Sequence, residues 1–107
     1  MKAAYRFRIP DDVTLTIRGL HPDLKRKVRT ALGLLAHDAR AGKALRAELE
    51  GLCSLRAGRF RIIYQLPAGR VIEIVAVGPR ERIYEETLRL LKRNDGKSIR
   101  PWPHSAP

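Results

Sequence analysis

The chain has 107 residues, a length that fits one compact domain, and 44% of them are hydrophobic, which is enough for a single core. No apolar run approaches the roughly twenty residues that a transmembrane helix needs. The first twenty residues carry charged side chains where a secretory signal would be apolar. We therefore expect a cytoplasmic protein. A single cysteine, Cys53, excludes an internal disulfide and a cysteine-based zinc site.

The charge balance is strongly basic, with 22 Lys and Arg against 11 Asp and Glu and a net charge of +11. Sixteen of the 22 basic residues are arginines, whose planar guanidinium suits phosphate groups. The positive electrostatic field of such a chain predicts a polyanionic partner, either nucleic acid or an acidic protein. A GC-rich genome also favours arginine over lysine. Aromatic residues make up only 6%, which argues against binding single strands by successive base stacking.

The first third of the chain predicts a strand followed by helices. Apolar and basic residues alternate over residues 1–9, which is typical of a strand, and Pro10 ends it. Residues 11–20 fit either a short helix or an irregular turn, because the helix-starting Asp11 and Asp12 precede several β-branched residues.

The next segment predicts an amphipathic helix over residues 22–37. Pro22 and Asp23 suit its first turn, and apolar residues then recur at three- and four-residue steps. Its opposite face is basic and is interpreted as solvated surface or as a binding face. Residues 38–42 predict a turn, and residues 43–50 a short helical turn.

From Gly51 onwards the pattern changes to period two and predicts a meander of strands. We expect strands over residues 52–56, 59–66 and 71–77, with a tight turn at Gly58 and a hairpin loop over 67–70. The second strand places Phe60, Ile62, Tyr64 and Leu66 on one face. The third is almost wholly apolar, as a central strand should be, and Gly78-Pro79 is expected to end it.

A last helix is predicted over residues 81–93, with Ile83, Tyr84, Leu88 and Leu91 facing inwards. The whole pattern predicts a small α+β domain over residues 1–93 and a flexible tail over 94–107. Trp102 is the exception in that tail, since a free tail rarely carries a tryptophan without a contact to make.

Most conventional catalytic patterns are missing from the sequence. Gly96-Lys97-Ser98 resembles the end of a phosphate-binding loop, but it lies in the tail and lacks the first glycine. His21, His37 and His104 lack metal-ligand spacing, and neither a serine triad nor paired carboxylates are evident. We therefore expect no metal and no cofactor.

What remains is a set of arginines around the predicted sheet. The meander brings neighbouring strands together, so that these side chains can share one end of one sheet face. Several cations that converge on one spot bind a phosphate and stabilise the added charge of a pentacoordinate phosphorus. Ordinary solvated arginines, or a pair with Glu73 or Glu81, explain the same spacing equally well. The set comprises Arg56, Arg59, Arg61, Arg80 and Arg82.

Two stretches of sequence carry a resemblance to a known family. They are Leu55-Arg56 with Gly58-Arg59-Phe60-Arg61-Ile62-Ile63-Tyr64, and Val77-Gly78-Pro79-Arg80-Glu81-Arg82-Ile83-Tyr84. Together with Leu45, Leu49 and Gly51 they resemble the RelE/ParE superfamily of toxins from toxin–antitoxin pairs. The resemblance implies a microbial ribonuclease-type fold in the order β-α-α-β-β-β-α, with two N-terminal helices packed on a small antiparallel sheet.

The resemblance to RelE also implies an activity. RelE-like toxins cut messenger RNA in the ribosome without metal, by attack of the 2′-hydroxyl on the adjacent phosphate. By position, Arg61 and Arg80 are similar to the arginines that stabilise the phosphate, and Tyr84 to a tyrosine near the 2′-hydroxyl or the stacked base. Arg56, Arg59 and Arg82 are the corresponding candidates for binding RNA phosphates. The helical spacing of Tyr84 also fits a core residue.

The sequence departs from RelE where that family has two lysines that are proposed to act in catalysis. Leu52 and Ser54 stand there, and neither takes up a proton at neutral pH. His104 or Glu81 is a candidate substitute. The departure favours the alternative of a ParE-like inhibitor of DNA gyrase, which needs no ribonuclease site. A third alternative is a basic binding module with a decayed site.

Both toxin hypotheses imply a partner. Such toxins are held silent by an antitoxin whose acidic and apolar segment wraps the basic surface. The expected partners are therefore an acidic antitoxin together with the ribosome and messenger RNA, or DNA gyrase in the alternative.

Overall fold

A computed structural model describes residues 4–66 and 69–95. Five strands and three α-helices follow one another along the chain, and a single 3₁₀ turn, Ala47–Leu49, precedes the third strand. The strands are β1 Arg6–Arg8, β2 Lys43–Ala44, β3 Leu52–Ala57, β4 Phe60–Gln65 and β5 Val71–Pro79. The helices are α1 Asp11–Arg18, α2 Pro22–His37 and α3 Ile83–Asp95. The predicted α+β class is therefore confirmed.

The strands form one sheet in the order β1-β5-β4-β3-β2. The three strands of the predicted meander pair antiparallel, and β2 pairs antiparallel with β3. The prediction of a wholly antiparallel sheet is wrong, because β1 pairs with β5 in parallel. These two strands are joined through both helices and the rest of the sheet. No tight turn therefore imposes an antiparallel direction on them.

The helices begin where their first residues favour it. Helix α2 has the predicted bounds: Pro22 fills its first position, and the His21 ring nitrogen accepts a hydrogen bond from the Asp23 N–H at 3.2 Å. Residues 11–20, which fitted a helix or a turn, form helix α1 up to Arg18. Two acidic residues in its first turn offset the β-branched residues that follow.

Two apolar layers lie on opposite faces of the sheet. The larger layer packs α1 and α2 against residues such as Ile62, Tyr64 and Ile74. It contains all four residues that were predicted to share one face of β4 and its end, from Phe60 to Leu66. The smaller packs α3 against Leu52, Ile63 and Ala76. Because successive strand residues point to opposite faces, each strand contributes to both layers. The sheet is thus covered by helices on both sides.

Two predictions about local structure differ in part from the observed elements. Residues 43–50 do contain a helical turn, the 3₁₀ turn Ala47–Leu49, but they begin as the edge strand β2, because Lys43 and Ala44 pair with β3. Gly78-Pro79 does not end the third meander strand, which continues to Pro79 opposite Phe60. At that end the ladder no longer needs a proline N–H. A register shift beside Ile63 adds one residue to β5.

Helix α3 starts and ends two residues later than predicted, and its predicted inward face is confirmed in part. Ile83 is buried, and half-buried Tyr84 and Leu91 pack against the core under α3. Leu88 is only half-buried, whereas Thr87, which was not predicted to face inwards, is buried. The Thr87 hydroxyl donates to the Ile83 carbonyl at 2.7 Å, which satisfies this buried polar group. Half of the predicted hairpin loop, Trp102, His104 and Gly96-Lys97-Ser98 lie outside the described residues. Within residues 4–66 and 69–95 no helix is long and apolar enough to cross a membrane.

Candidate catalytic site between the sheet and helix α3

The site begins with a pair of arginines on the sheet face that α3 covers. Arg56 of β3 lies directly opposite Arg61 of β4, and on its other side Arg61 faces Gly78 of β5. Directly opposed side chains have Cβ atoms about 4.5–5.5 Å apart, and like charges in that arrangement repel. The register thus starts both arginine side chains from adjacent positions of one sheet face, and a bound anion would offset the repulsion between their charges.

The glycine opposite Arg61 lies under the first turn of α3. A Cβ atom at Gly78 would lie 2.9 Å from Ile83 Cδ1, so a larger residue there would require the end of the Ile83 side chain to shift. The next residue of α3, Tyr84, reaches the same sheet face as Arg61, where its hydroxyl contacts Ser54.

Ser54 joins Arg61 to Tyr84 through its hydroxyl group. Arg61 Nη1 donates to Ser54 Oγ at 3.2 Å, and Ser54 Oγ lies 3.1 Å from the Tyr84 hydroxyl. Ser54 is only 1% exposed, whereas Arg61 and Tyr84 are half-buried. The Nε atom of Arg61 is buried and has no hydrogen-bond partner in the part of the chain that the structure describes. The guanidinium group is therefore held on one side and leaves donors for a ligand.

The loop after β5 brings further arginines to this end of the sheet. The Arg80 N–H donates to the Arg59 carbonyl at 2.9 Å, which ties the end of β5 to the β3–β4 turn. Gly58 in that turn has φ +64°, a value that favours glycine, as two-residue hairpin turns require. Arg80 and Arg82 are both exposed.

The predicted arginine set is only partly brought together. Arg59 lines a groove of about 340 Å³ with His21, Asp23 and Lys27, on the side of the sheet that α2 covers. Arg56 also lines a groove between α2 and the outer edge of β3. Strand residues adjacent to a turn follow the twist of the hairpin, so the spacing in sequence does not fix which side they face.

Most carboxylates of the described residues are engaged elsewhere or lie apart, but Glu86 is an exception: its Oε1 lies 3.5 Å from the place that a Cβ of Gly78 would occupy, and Gly78 faces Arg61. The ion pairs among the described residues are Arg8–Glu73 at 2.8 Å, Arg26–Asp23 at 2.9 Å and Arg89–Glu85 at 3.7 Å. Glu73, one of the two acids proposed to neutralise the arginine set, pairs with Arg8 at the far edge of the sheet. The described residues therefore contain no ion pair with an arginine of the predicted set.

The positions where RelE has lysines hold no ionisable group. Leu52 is 2% exposed and belongs to the core under α3, while Ser54 holds Arg61. Glu81 is exposed in the connection between β5 and α3. No group of three or more His, Cys, Asp or Glu residues that could hold a metal ion occurs in residues 4–66 and 69–95. The described site thus offers guanidinium and hydroxyl groups, together with the half-buried Glu86 carboxylate beside Gly78.

The contacts of Ser54 with Arg61 and Tyr84 were not predicted, since Ser54 stood out in the sequence only as a position that lacks a lysine. A usable signal was present. Arg56 and Arg61 lie opposite each other across the Gly58 turn. Since side chains alternate between the two faces of a strand, Ser54, two residues before Arg56 on β3, lies on the same face. The hydrogen bond to Tyr84 could not be found this way, because it depends on where α3 crosses the sheet.

Comparisons with known proteins agree with this architecture. The family model of the ParE toxin of the type II toxin–antitoxin system parDE matches residues 7–84. The RelBE2 toxin–antitoxin complex of Mycobacterium tuberculosis contains a chain that is 30% identical, with a TM-score of 0.62 over 72% of this chain and 99% of that one. No curated protein matches significantly.

Two further solved structures share the fold at lower identity. A variant of the Escherichia coli toxin RelE in the free state has a TM-score of 0.64 at 21% identity, and covers 82% of this chain and 98% of that one. The archaeal RelE–RelB complex from Pyrococcus horikoshii has a TM-score of 0.60 at 24% identity, and the match covers 74% of this chain and 98% of that one. The described fold and the matched region together identify the chain as a member of the ParE toxin family of type II toxin–antitoxin systems, within the RelE/ParE superfamily.

Proposed function

We propose that this toxin is a metal-independent endoribonuclease that cleaves messenger RNA on the ribosome. The observation that carries the proposal is the position of Arg61, which is held by Ser54 beside Tyr84 and makes no ion pair with any described carboxylate. A half-buried guanidinium group without a counter-ion is a strong binding site for a phosphate oxygen. The resemblance of the sequence to RelE-like toxins supports the same class of target, and the solved relatives share the fold.

The reaction needs charge stabilisation above all. The 2′-oxygen forms a bond to phosphorus while the bond from phosphorus to the 5′-oxygen breaks. The 2′-hydroxyl loses its proton, and the departing 5′-oxygen gains one. Negative charge accumulates on the non-bridging oxygens between these events, and fixed donors aimed at those oxygens lower the barrier. Arg61 is proposed to hold one of them and Arg80 a second.

The remaining predicted residues have supporting roles in this proposal. Tyr84 contacts the reacting phosphate, whereas Arg56 and Arg82 bind neighbouring phosphates of the strand. Arg59 lines the groove on the α2 side, so it would bind RNA only where the strand passes over the β3–β4 turn. Glu81 and His104 stay the candidates for accepting the 2′-hydroxyl proton.

Cleavage of a translated message tests the proposal. Purified toxin is added to ribosomes carrying a defined messenger RNA, and the cut sites are mapped by primer extension. Arg61→Ala should lower the rate by about a hundredfold or more, the scale for losing a preorganised donor. Arg29→Ala removes the same charge from the exposed face of α2 and should stay within twofold of wild type. Equal cleavage by wild type and Arg61→Ala would contradict the assignment.

Inhibition of DNA gyrase is the second candidate function. It is supported by the match to the ParE family model and by the absence of an ionisable group at Leu52 and Ser54. A supercoiling assay with purified gyrase distinguishes the two candidates. Inhibition at micromolar toxin without RNA cleavage would favour this alternative. RNA cleavage without inhibition would exclude it.

An acidic antitoxin is the proposed partner in either case. Solved relatives of this chain are complexes of a toxin with its antitoxin, and the net charge of +11 favours an acidic segment. A short open reading frame for an acidic protein beside this gene is the expected companion. Coexpression of the two proteins should relieve growth arrest and yield a complex that resists separation until high salt is added.

A further inference from the structure

The hydrogen bonds around Ser54 have a direction that the chemistry of the three groups fixes. A guanidinium group only donates, so Ser54 Oγ accepts from Arg61 Nη1 at 3.2 Å. The bond of 3.1 Å between Ser54 Oγ and the Tyr84 hydroxyl can run either way, since each oxygen carries one hydrogen. The surroundings of Ser54 decide between the two directions.

If Tyr84 donated to Ser54, the serine hydrogen would need another acceptor. Ser54 is 1% exposed, and its only side-chain partners in the described residues are Arg61 and Tyr84. Its hydrogen would then be buried without a partner, which is unfavourable. If Ser54 donates to Tyr84, the serine hydroxyl is satisfied both as donor and as acceptor. The chain of hydrogen bonds therefore runs from Arg61 through Ser54 to Tyr84, and each donation strengthens the next.

We propose that Ser54 is a positioning residue that orients Tyr84 as a hydrogen-bond donor to the reacting phosphate. This inference rests on the proposed ribonuclease function. With its oxygen occupied by Ser54, half-buried Tyr84 keeps its own hydrogen free for a non-bridging phosphate oxygen. The same serine holds Arg61 on one side, so the Arg61 and Tyr84 donors keep a fixed position relative to each other and to the phosphate. Preorganised donors stabilise the developing charge better than mobile ones.

Ser54 acts through its neighbours and not on the substrate. At 1% exposure its oxygen is out of reach of an RNA strand. It therefore replaces the RelE lysine at this position with a different role: it supplies no charge and takes no proton, but sets the geometry of Arg61 and Tyr84. Its removal should lower the rate of the chemical step and leave substrate binding almost unchanged.

A double-mutant cycle between Ser54 and Tyr84 tests this role. Ser54→Ala should lower kcat about tenfold or more with KM within threefold, and Ser54→Thr, which keeps the hydroxyl, should restore most of the rate. In the Tyr84→Phe background, Ser54→Ala should cost about threefold and not tenfold, since the part of its effect that runs through the Tyr84 hydroxyl is already lost and only the part through Arg61 remains. Wild-type rates for Ser54→Ala, or effects of the two substitutions that multiply fully, would overturn the inference.

A second measurement separates this inference from the proposed function. Arginine side-chain NMR compares rotation of the Arg61 guanidinium group in wild type, Ser54→Ala and Tyr84→Phe, with Arg61→Lys to assign the signal. Rotation should be slowed in wild type and at least tenfold faster in Ser54→Ala. Faster rotation in Ser54→Ala without any cleavage of RNA would refute the proposed ribonuclease activity and the role of Ser54 in it. The hydrogen bonds from Arg61 through Ser54 to Tyr84 would still be supported. Equal rotation in wild type and Ser54→Ala would refute the chain itself, whatever the activity.

Discussion

The hydroxyl group of Tyr64 provides a sharp test of how the fold is held together. Tyr64 lies on β4 and is 0% exposed. Its hydroxyl accepts a hydrogen bond from the Gly42 N–H at 3.0 Å and donates one to the Ala39 carbonyl at 2.9 Å. Both partners lie in the connection between α2 and β2. The substitution Tyr64→Phe keeps the ring and removes only this attachment.

The expected cost follows from the groups that lose their partner. The buried Ala39 carbonyl is left without its donor, and the half-buried Gly42 N–H loses its acceptor but regains water in part. A buried polar group without a partner costs about 1–3 kcal/mol, and the net loss of a more accessible hydrogen bond is about 1 kcal/mol. Tyr64→Phe should therefore lower the free energy of unfolding by about 2–4 kcal/mol, a large share of the roughly 5–15 kcal/mol typical of a domain.

Urea unfolding followed by far-UV circular dichroism measures this loss as a shift in midpoint at constant m-value. Tyr5→Phe is the matched control, because Tyr5 is half-buried and packs its ring at the edge of the core. Its change should stay within about 0.5 kcal/mol. A loss below about 1 kcal/mol for Tyr64→Phe would mean that water replaces both bonds, and would refute the view that this hydroxyl anchors the connection.

Burial raises the pKa of Tyr64 to about 12 from 10.0, against a smaller lowering by the Gly42 N–H. The neutral phenol is thus favoured by folding, so this stabilisation is complete below pH 10 and is lost as pH rises through about 12. The difference in unfolding free energy between wild type and Tyr64→Phe should therefore shrink by about 1.4 kcal/mol per pH unit in that window, and a constant difference from pH 8 to 11.5 would contradict this. Two glycine substitutions should act in opposite directions in the same unfolding assay. Gly33→Ala, in an open position within α2, should stabilise by about 0.5–1 kcal/mol. Gly42→Ala places a Cβ 2.5 Å from the Tyr64 hydroxyl oxygen and 2.8 Å from the Ser54 carbonyl oxygen, and should cost about 2 kcal/mol or more. Equal effects at the two sites would contradict the packing at Gly42.

The sequence predicts best where several local signals agree. Helix α2 has its predicted bounds because Pro22 and Asp23 favour its start and the apolar spacing continues to its end. The alternating row on β4 faces the core as expected, since period two leaves one face for burial. The direction of β1 was not predictable in this way. It depends on contacts with β5, more than sixty residues later, and no local pattern encodes parallel pairing.

Only the part of the candidate site that depends on local signals could be predicted. The alternation of side chains along each strand and the Gly58 turn are local, and together they place Arg56 opposite Arg61. The link from Ser54 to Tyr84 joins residues 30 positions apart and depends on the angle at which α3 crosses the sheet. Arg59 was grouped with the other arginines although it lines a groove on the α2 side. Spacing in sequence gives neighbours along the chain but not the side of a twisted hairpin that they face.

The end of the sheet that carries the candidate site departs from the rules that stabilise the rest of the fold. Like charges oppose each other at Arg56 and Arg61, and Arg61 Nε is buried without a partner in the described residues. Elsewhere the same sheet follows ordinary rules, with apolar residues in both cores and Arg8 paired with Glu73. Local conflicts confined to one place in an otherwise consistent fold are typical of sites that a ligand completes. Here the conflict is between two opposed arginines, one of which has a buried N–H without a partner among the described residues, and the proposed phosphate ligand would offset the positive charge.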